Sequence, residues 1–458
     1  MTFSALDSAL TGPLFASAEM RAVFSDAARV AAMLKVEAAL AEAEARQGLV
    51  PSALAVAIRK VRVDALDLAA LGEKTADAGV PNIPFVKAVE AKLPEKLRGA
   101  FHKGATSQDI LETALVLQMA AAFDLAAADL IATIDGLLAM SRKYRRTPQV
   151  GRSVGQHAAP ITFGYTASVW LAGVLESAAE LGPLRQRVLA ASLGGPVGTL
   201  AGLGDKGPAV VADFAAILGL AVPAATWHTS RGRVVAAGAW LATLIGALAK
   251  IATDVVFLSA TEVGEVSEAP ARGRGGSSAM PHKQNPVSAV VILAAHAAAG
   301  GHLSALVGAM AAGQQRPAGA WQSEWHALPT LFGLASGALR EARRIAESLV
   351  VHERRMRSNL DFTHGLLFAD AVSARLAPAL GREAAHRIVK EAADVVRDTG
   401  EMFQTALAEQ SGIPARLRAE VQSAFDLTPA IDAAAAHADR VVKVARTVRR
   451  EFAAGKGA

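Results

Sequence analysis

Apolar and small residues recur along most of the chain with the period of an α-helix, and polar residues gather in a few short stretches between the periodic segments. Ser25 and Asp26 suit an N-cap, and Val30, Met33, Leu34, Ala38 and Ala41 then follow the helical spacing until Gly48 and Pro51. From Ser107 to Tyr144 a single glycine, Gly136, and no proline interrupt the run. One helix there extends about 57 Å at 1.5 Å per residue. A second such run covers 233–268, and segments 161–192 and 287–312 add two more. Helices of this length must bury apolar surface along their whole extent, which implies a long bundle that continues into partner subunits. From about Val351 the pattern returns to shorter helices broken at Gly365, Gly381, Gly400 and Pro414. The expected architecture is all-α: a small N-terminal helical region over 1–106, a central long-helix bundle over 107–350, and a C-terminal helical region over 351–458.

Composition agrees with that reading. The 458 residues are 52% hydrophobic with only 5% aromatic residues, which favours closely packed helices over strands. Cysteine is absent, so disulfides, thiolate metal sites and cysteine nucleophiles are excluded, and a reducing cytoplasm is the expected home. The opening MTFSALDSALTGPLF lacks the basic and continuous apolar regions of a signal peptide. Net charge is +5, and the basic clusters around Arg340, Arg343 and Arg344 and around Arg446, Arg449 and Arg450 sit in helical patterns with acids nearby. They read as solvated helix faces, so no nucleic-acid partner is expected, while the cationic surplus suits a small anionic substrate. Residues 287–315 contain no Asp, Glu, Lys or Arg, longer than a membrane span requires. His296, His302 and Gly300-Gly301 interrupt the segment and no aromatic belt flanks it, so a buried bundle helix is expected and no membrane partner.

Three polar stretches carry candidate chemistry. HKGATSQDI, 102–110, puts Thr106 and Ser107 at the start of the first long helix, where free N–H groups and the helix dipole suit a carboxylate, with His102 just upstream. GRSVGQHAAPITFG, 151–164, reads as a non-helical connector holding Gln156 and His157, with Pro160 suited to open the next helix. In 271–286, ARGRGG has the glycine content of a hinge, GSSAMPHKQNP follows, and Asn285-Pro286 fit an N-cap and first turn. This last stretch reads as a flap over a site. The eleven histidines show no HxxxH or HxH spacing, so no metal or other cofactor is implied.

GSSAMPHKQNP matches the GSSxMPxKxNP signature of the fumarase/aspartase superfamily at every specified position, and the other two stretches resemble its remaining shared regions in order and spacing. Within the superfamily, FSDAARVAAMLKVEAALAEAEARQGLVP, GGPVGTLAGLG, TWHTSRGR, TEVGEVSE and WQSEWHALP resemble the bacterial 3-carboxy-cis,cis-muconate cycloisomerase branch. Adenylosuccinate lyase shares the flap sequence but those stretches less well. The resemblance implies a homotetramer whose sites are shared between subunits, and a small tricarboxylate substrate. It implies that Ser277 exchanges the proton on the carbon next to a carboxylate, while Lys283 and Asn285 hold the carboxylate that becomes an aci-carboxylate dianion. Such an intermediate needs fixed positive charge and N–H dipoles already aimed at it. Thr106, Ser107, Gln156, Ser278 and Met280 are the further expected substrate contacts, with Arg231 or Arg233 as helpers. Where lyases of the superfamily carry Thr-His, this chain has Ser153-Val154. The lyase histidine handles the leaving group's proton. In a lactonising cycloisomerase the substrate's own carboxylate attacks and nothing leaves, which leaves His157 or His102 as the candidate second acid. The rival expectations are a lyase acting on adenylosuccinate or another amino-dicarboxylate, and a non-catalytic helical oligomer such as the lens crystallins.

Overall fold

The structure is a computed structural model that describes residues 3–271, 273–276 and 279–453. It is helical almost throughout, as the periodicity requires. Helix α1, Asp26–Arg46, begins where Ser25 accepts a hydrogen bond from the Ala28 N–H at 3.2 Å, and the chain turns away at Gly48, whose φ is 68°. The central bundle is built from α2 (Ser107–Lys143), α3 (Phe163–Val188), α4 (Gly232–Leu258), α5 (Val287–Gly308) and α6 (Ala320–Ser348). Their facing sides form one apolar core that includes Phe123, Trp170, Leu241, Ile292 and Phe332.

Contacts at the helix ends fix the direction of each rod. Tyr144, just after α2, packs edge-on against Phe163 at the start of α3. Arg233, in the first turn of α4, donates to the Arg187 carbonyl near the end of α3. The Arg152 guanidinium lies 5.4 Å from the ring centroid of Phe257 at the far end of α4. Arg231 and Glu324, at the starts of α4 and α6, are paired, and strand Val266–Ser267 pairs with Val350–Val351 just after α6. The helices therefore alternate in direction, and the bundle has one end carrying Thr106, Arg187, Arg231 and Glu324 and another carrying Arg152, Glu265 and the flap. The 27-residue α4 joins the two ends, which places them about 40 Å apart.

Several expectations need correction. The run over 233–268 is not one helix, because it ends at Leu258; Gly264 then adopts a φ of 64° and Arg355 holds the carbonyls of Glu262 and Val263. The stretch 151–164 is non-helical up to Thr162, as expected, but its connector is ordered as strands. It belongs to an antiparallel hairpin of β1 (Pro148–Ser153) and β2 (Gln156–Thr162). Pro160 lies in β2 opposite Val150, tolerable in a two-stranded ribbon with a free edge, and Thr162 rather than Pro160 opens α3, accepting from the Tyr165 N–H at 3.1 Å. The C-terminal region does not consist only of short helices. After a small core around Leu376, Ile388 and Phe403, a 26-residue helix, α7 (Thr428–Ala453), runs back along the bundle and adds Ala445 and Phe452 to its core.

By length and composition α2, α4 and α5 could each cross a membrane. In the fold α4 packs on α5, and α2 packs on α3 and α6, although Val290 and Val307 of α5 and Met310 just beyond it are about half exposed.

Candidate functional site

At the first end of the bundle, Asp109 organises the start of α2. Its carboxylate accepts from the backbone N–H groups of Thr106 at 3.0 Å and of Gly194 and Gly195 at 2.8 Å each, and its Oδ1 lies 2.7 Å from His228 Nε2. One acid thus ties the helix start to the glycine loop at 194–195 and to the segment ahead of α4. Thr106 is buried, with its hydroxyl accepting from Arg316 Nη1 at 2.8 Å, and Ser107 is partly exposed. Arg316, from the loop between α5 and α6, brings a guanidinium to the helix N-terminus where a carboxylate was expected to bind.

The same end carries His102. Its Nδ1 is 2.7 Å from Glu37 Oε1, and its ring retains 19% exposure. Burial disfavours the charged ring, but the hydrogen bond and charge of Glu37 outweigh it, and the His102 pKa is raised.

Arg231 does not lie where a substrate could reach it. It is 2% exposed and donates to Glu112 at 2.6 Å, to Glu324 at 2.8 Å and to the Trp227 carbonyl at 3.1 Å. Burial opposes its charge, but the two glutamates hold its pKa above the usual value, while burial pushes the Glu112 carboxyl up to about 7. Arg231 is the centre of a buried ionic cluster, and the expectation of a substrate contact is corrected. Arg233 is occupied with the Arg187 carbonyl on the outside of the bundle.

At the other end the hairpin presents Gln156 and His157. Its turn consists of Val154, with φ 52°, and Gly155, with φ 79°. Consecutive positive φ values match the right-handed twist of a two-residue hairpin, but they are costly for a β-branched residue. Val154 is 98% exposed, so the strained tip carries an aliphatic side chain clear of the protomer. Gln156 is exposed too, and His157 sits opposite Arg152 across a register shift, with its ring 5.7 Å from that of Phe362. Burial and the Arg152 charge lower the His157 pKa, the opposite of His102. The hairpin is anchored by Glu265, fully buried, which accepts from Gln149 and Asn359 at 2.9 Å and from Arg152.

The flap rises from this end as well. Its neck is closed by the Asn285 N–H donating to the Gly275 carbonyl at 2.8 Å and by a bridge between Gly276 and Gln284. Gly275 has φ 72°, and a Cβ there would lie 2.9 Å from the Asn285 carbonyl oxygen. Met280 and Lys283 are exposed, whereas Ser277 and Ser278 lie outside the described residues. Asn285 does not cap α5. Glu268 does, accepting from the N–H groups of Ser288 and Ala289 at 3.0 Å each, because α5 begins only at Val287. Arg274, in the expected hinge, is held by Ser288 at 2.8 Å and by Glu341. Both ends of the flap are therefore fixed to the bundle.

Within one protomer the stretch at 102–110 lies at one end of the bundle and the other two at the opposite end. His228, Arg316, Glu37 and Glu268 escaped the sequence reading because each acts through partners remote in sequence, and Asp109 escaped it although its bond to the Thr106 N–H, three residues away, is a local capping signal. Trp-His-Thr-Ser-Arg-Gly-Arg was the only local signal that pointed toward His228.

Comparison with known proteins agrees with this architecture. Residues 15–300 match the family model described as lyase, and residues 365–441 match that of the adenylosuccinate lyase C-terminus. The chain is 42% identical to a 3-carboxy-cis,cis-muconate cycloisomerase of Pseudomonas aeruginosa, over 88% of this chain and 89% of that one. It is 39% identical to a nitrosuccinate lyase of Streptomyces davaonensis over 95% of each. The crystal structure of 3-carboxy-cis,cis-muconate lactonizing enzyme from Pseudomonas putida superimposes with a TM-score of 0.91 at 38% identity, covering 96% of this chain and all of that one. With the flap signature, the antiparallel long-helix bundle and these similarities, the chain belongs to the fumarase/aspartase type of lyase family, in the branch that contains the 3-carboxy-cis,cis-muconate cycloisomerases.

Proposed function

We propose that the chain interconverts 3-carboxy-cis,cis-muconate and 4-carboxymuconolactone in the cytoplasmic breakdown of aromatic compounds. In the lactonising direction a substrate carboxylate oxygen forms the new C–O bond. The electron pair of the double bond moves onto the carbon beside a second carboxylate, giving an aci-carboxylate dianion, and Ser277 delivers a proton to that carbon. Lys283 and Asn285 stabilise the dianion, while Thr106, Ser107, Gln156, Ser278 and Met280 line the site. Arg316, bonded to Thr106, adds fixed positive charge for a substrate carrying three carboxylates.

The observation that carries this reading is similarity to curated cycloisomerases along nearly the whole chain. Val154 supports it against the lyases. An aliphatic side chain at the hairpin tip can exchange no proton with a leaving group, and lactonisation has none.

We further propose that the working site is built between subunits of a homotetramer. The stretch at 102–110 lies about 40 Å from the hairpin and flap in one protomer, and an antiparallel neighbour would bring one protomer's Thr106 end against another's hairpin and flap. The half-exposed Val290 and Val307 on α5, with Met310 just beyond its end, supply apolar surface for such packing.

The test is a side-by-side assay of the purified protein. Rapid loss of muconate absorbance with 3-carboxymuconate, and little with unsubstituted muconate, is expected. A second reading, elimination from a substituted succinate, draws on the likeness to nitrosuccinate lyase. Alkene formation from nitrosuccinate without turnover of 3-carboxymuconate would replace the first reading with the second.

A further inference from the structure

We propose that Glu37 is a positioning residue of this site: from inside the N-terminal helix it fixes the ring of His102 so that Nε2 is presented beside the Thr106 and Arg316 corner. The inference rests on the proposed cycloisomerase reading for its kinetic part alone.

Glu37 lies on the inner side of α1, 1% exposed, and its Oε1 is 2.7 Å from His102 Nδ1. A buried carboxylate at that distance orients an imidazole and selects its tautomer, leaving Nε2 to face outward. The backbone is shaped for the contact. His102 has a φ of 55° and Gly104 a φ of 70°, so the loop folds back and turns the ring toward α1. Leu34, Leu40 and Ala41 are buried on the same helix, and its two buried acids, Glu37 and Glu44, differ in that only Glu37 has a hydrogen-bond partner among the described residues, His102.

The neighbouring charges decide how the pair behaves. Glu44, two turns along α1 and also 1% exposed, has no hydrogen-bond partner for either carboxyl oxygen among the described residues, and burial, with Glu37 nearby, pushes its pKa up to about 8. It keeps its proton at neutral pH and adds no second charge beside Glu37. Lys103 donates to the Leu49 carbonyl at 3.1 Å instead of pairing with Glu37, and Asp109 is taken up by its backbone donors and His228. Glu37 is thus the acid bonded to His102, and the pair favours the imidazolium. His157, at the other end, is biased toward the neutral form. Two histidines driven in opposite directions suit one acid and one base or hydrogen-bond partner in a proton-transferring site.

Glu37→Gln preserves volume and should fold, which the thermal melt and light-scattering mass check. Ring-labelled histidine NMR, with the His102 signal identified by its loss in His102→Asn, should show His102 titrating at lower pH in Glu37→Gln than in the wild type. With 3-carboxymuconate, kcat should fall roughly tenfold to a hundredfold with little change in KM. The alkaline limb of the kcat profile should move to lower pH, and Glu37→Asp should recover part of the loss. Adding Glu37→Gln to His102→Asn should cost nothing further. An unchanged His102 titration, or full additivity of the two losses, overturns the proposal. If the wild type turns over no 3-carboxymuconate, the cycloisomerase reading fails, and the NMR titration still decides the dyad.

Discussion

His228 Nε2 lies 2.7 Å from Asp109 Oδ1, with both side chains almost completely buried and 119 residues apart in sequence. The same carboxylate accepts three backbone N–H groups, so Asp109 is the joint of helix α2, the glycine loop at 194–195 and the approach to α4. Replacing it strands donors that water cannot reach, at a cost of about 1–3 kcal/mol for each. Asp109→Ala should therefore lower the melting temperature markedly and raise KM, because Thr106 and Ser107 lose their mounting. Asp109→Asn, which keeps the shape, should be milder in stability. A wild-type melting curve for Asp109→Ala would show that the joint is dispensable.

Glu268 caps α5 from outside the helix, beside the flap. Glu268→Ala should cost about 0.5–2 kcal/mol, the range for loss of a cap. Activity should fall further than that stability loss implies, since α5 begins two residues beyond Asn285. Equal activity in the wild type and the variant at a temperature where both are folded would separate the cap from flap geometry.

Glu44 makes stability depend on pH. Its folded pKa of about 8 stands above the ordinary 4.5, so the folded protein holds a proton that the unfolded chain releases. Stability from this group is unaffected below about pH 4.5 and is lost progressively as pH rises from there through about 8. Glu44→Gln should thus melt higher than the wild type, by a margin that widens between pH 6 and 9 to about 2 kcal/mol or more. A margin that shrinks with rising pH would contradict the buried, protonated acid.

Ser277→Ala should fold normally and lose roughly two to four orders of magnitude in turnover, the usual worth of a positioned acid or base. Thr106→Val should be impaired through the opposite end of the bundle. Mixing the two inactive proteins after dissociation and reassociation should restore part of the activity, because some sites then receive only intact segments. Hybrids shown by mass to have formed, yet without activity, would refute a site shared between subunits.

The long helices, the first N-cap and the flap were readable from the chain because each depends on neighbours within a few residues. Helical period, the Ser25 cap and the glycines of 273–276 act locally, and Ser107–Lys143 emerged almost to the residue. The hairpin at 148–162 was not readable. Its strands are short, and their pairing depends on a twist accommodated by Val154 and Gly155 and on Glu265, more than a hundred residues later in the chain. The capping of α5 was misread for a similar reason, since Asn285 satisfies the local rule but Glu268 supplies the acceptor across the flap. Arg231 looked like a ligand for an anion until folding enclosed it between Glu112 and Glu324, where removing the arginine would leave two buried acids without their cation. Local order along the chain thus determined where the helices run and where the polar stretches interrupt them. Only the tertiary structure decided which stretches share an end, with 102–110 at one and the hairpin and flap together at the other, because helix direction and separation are set by core packing that no short stretch encodes.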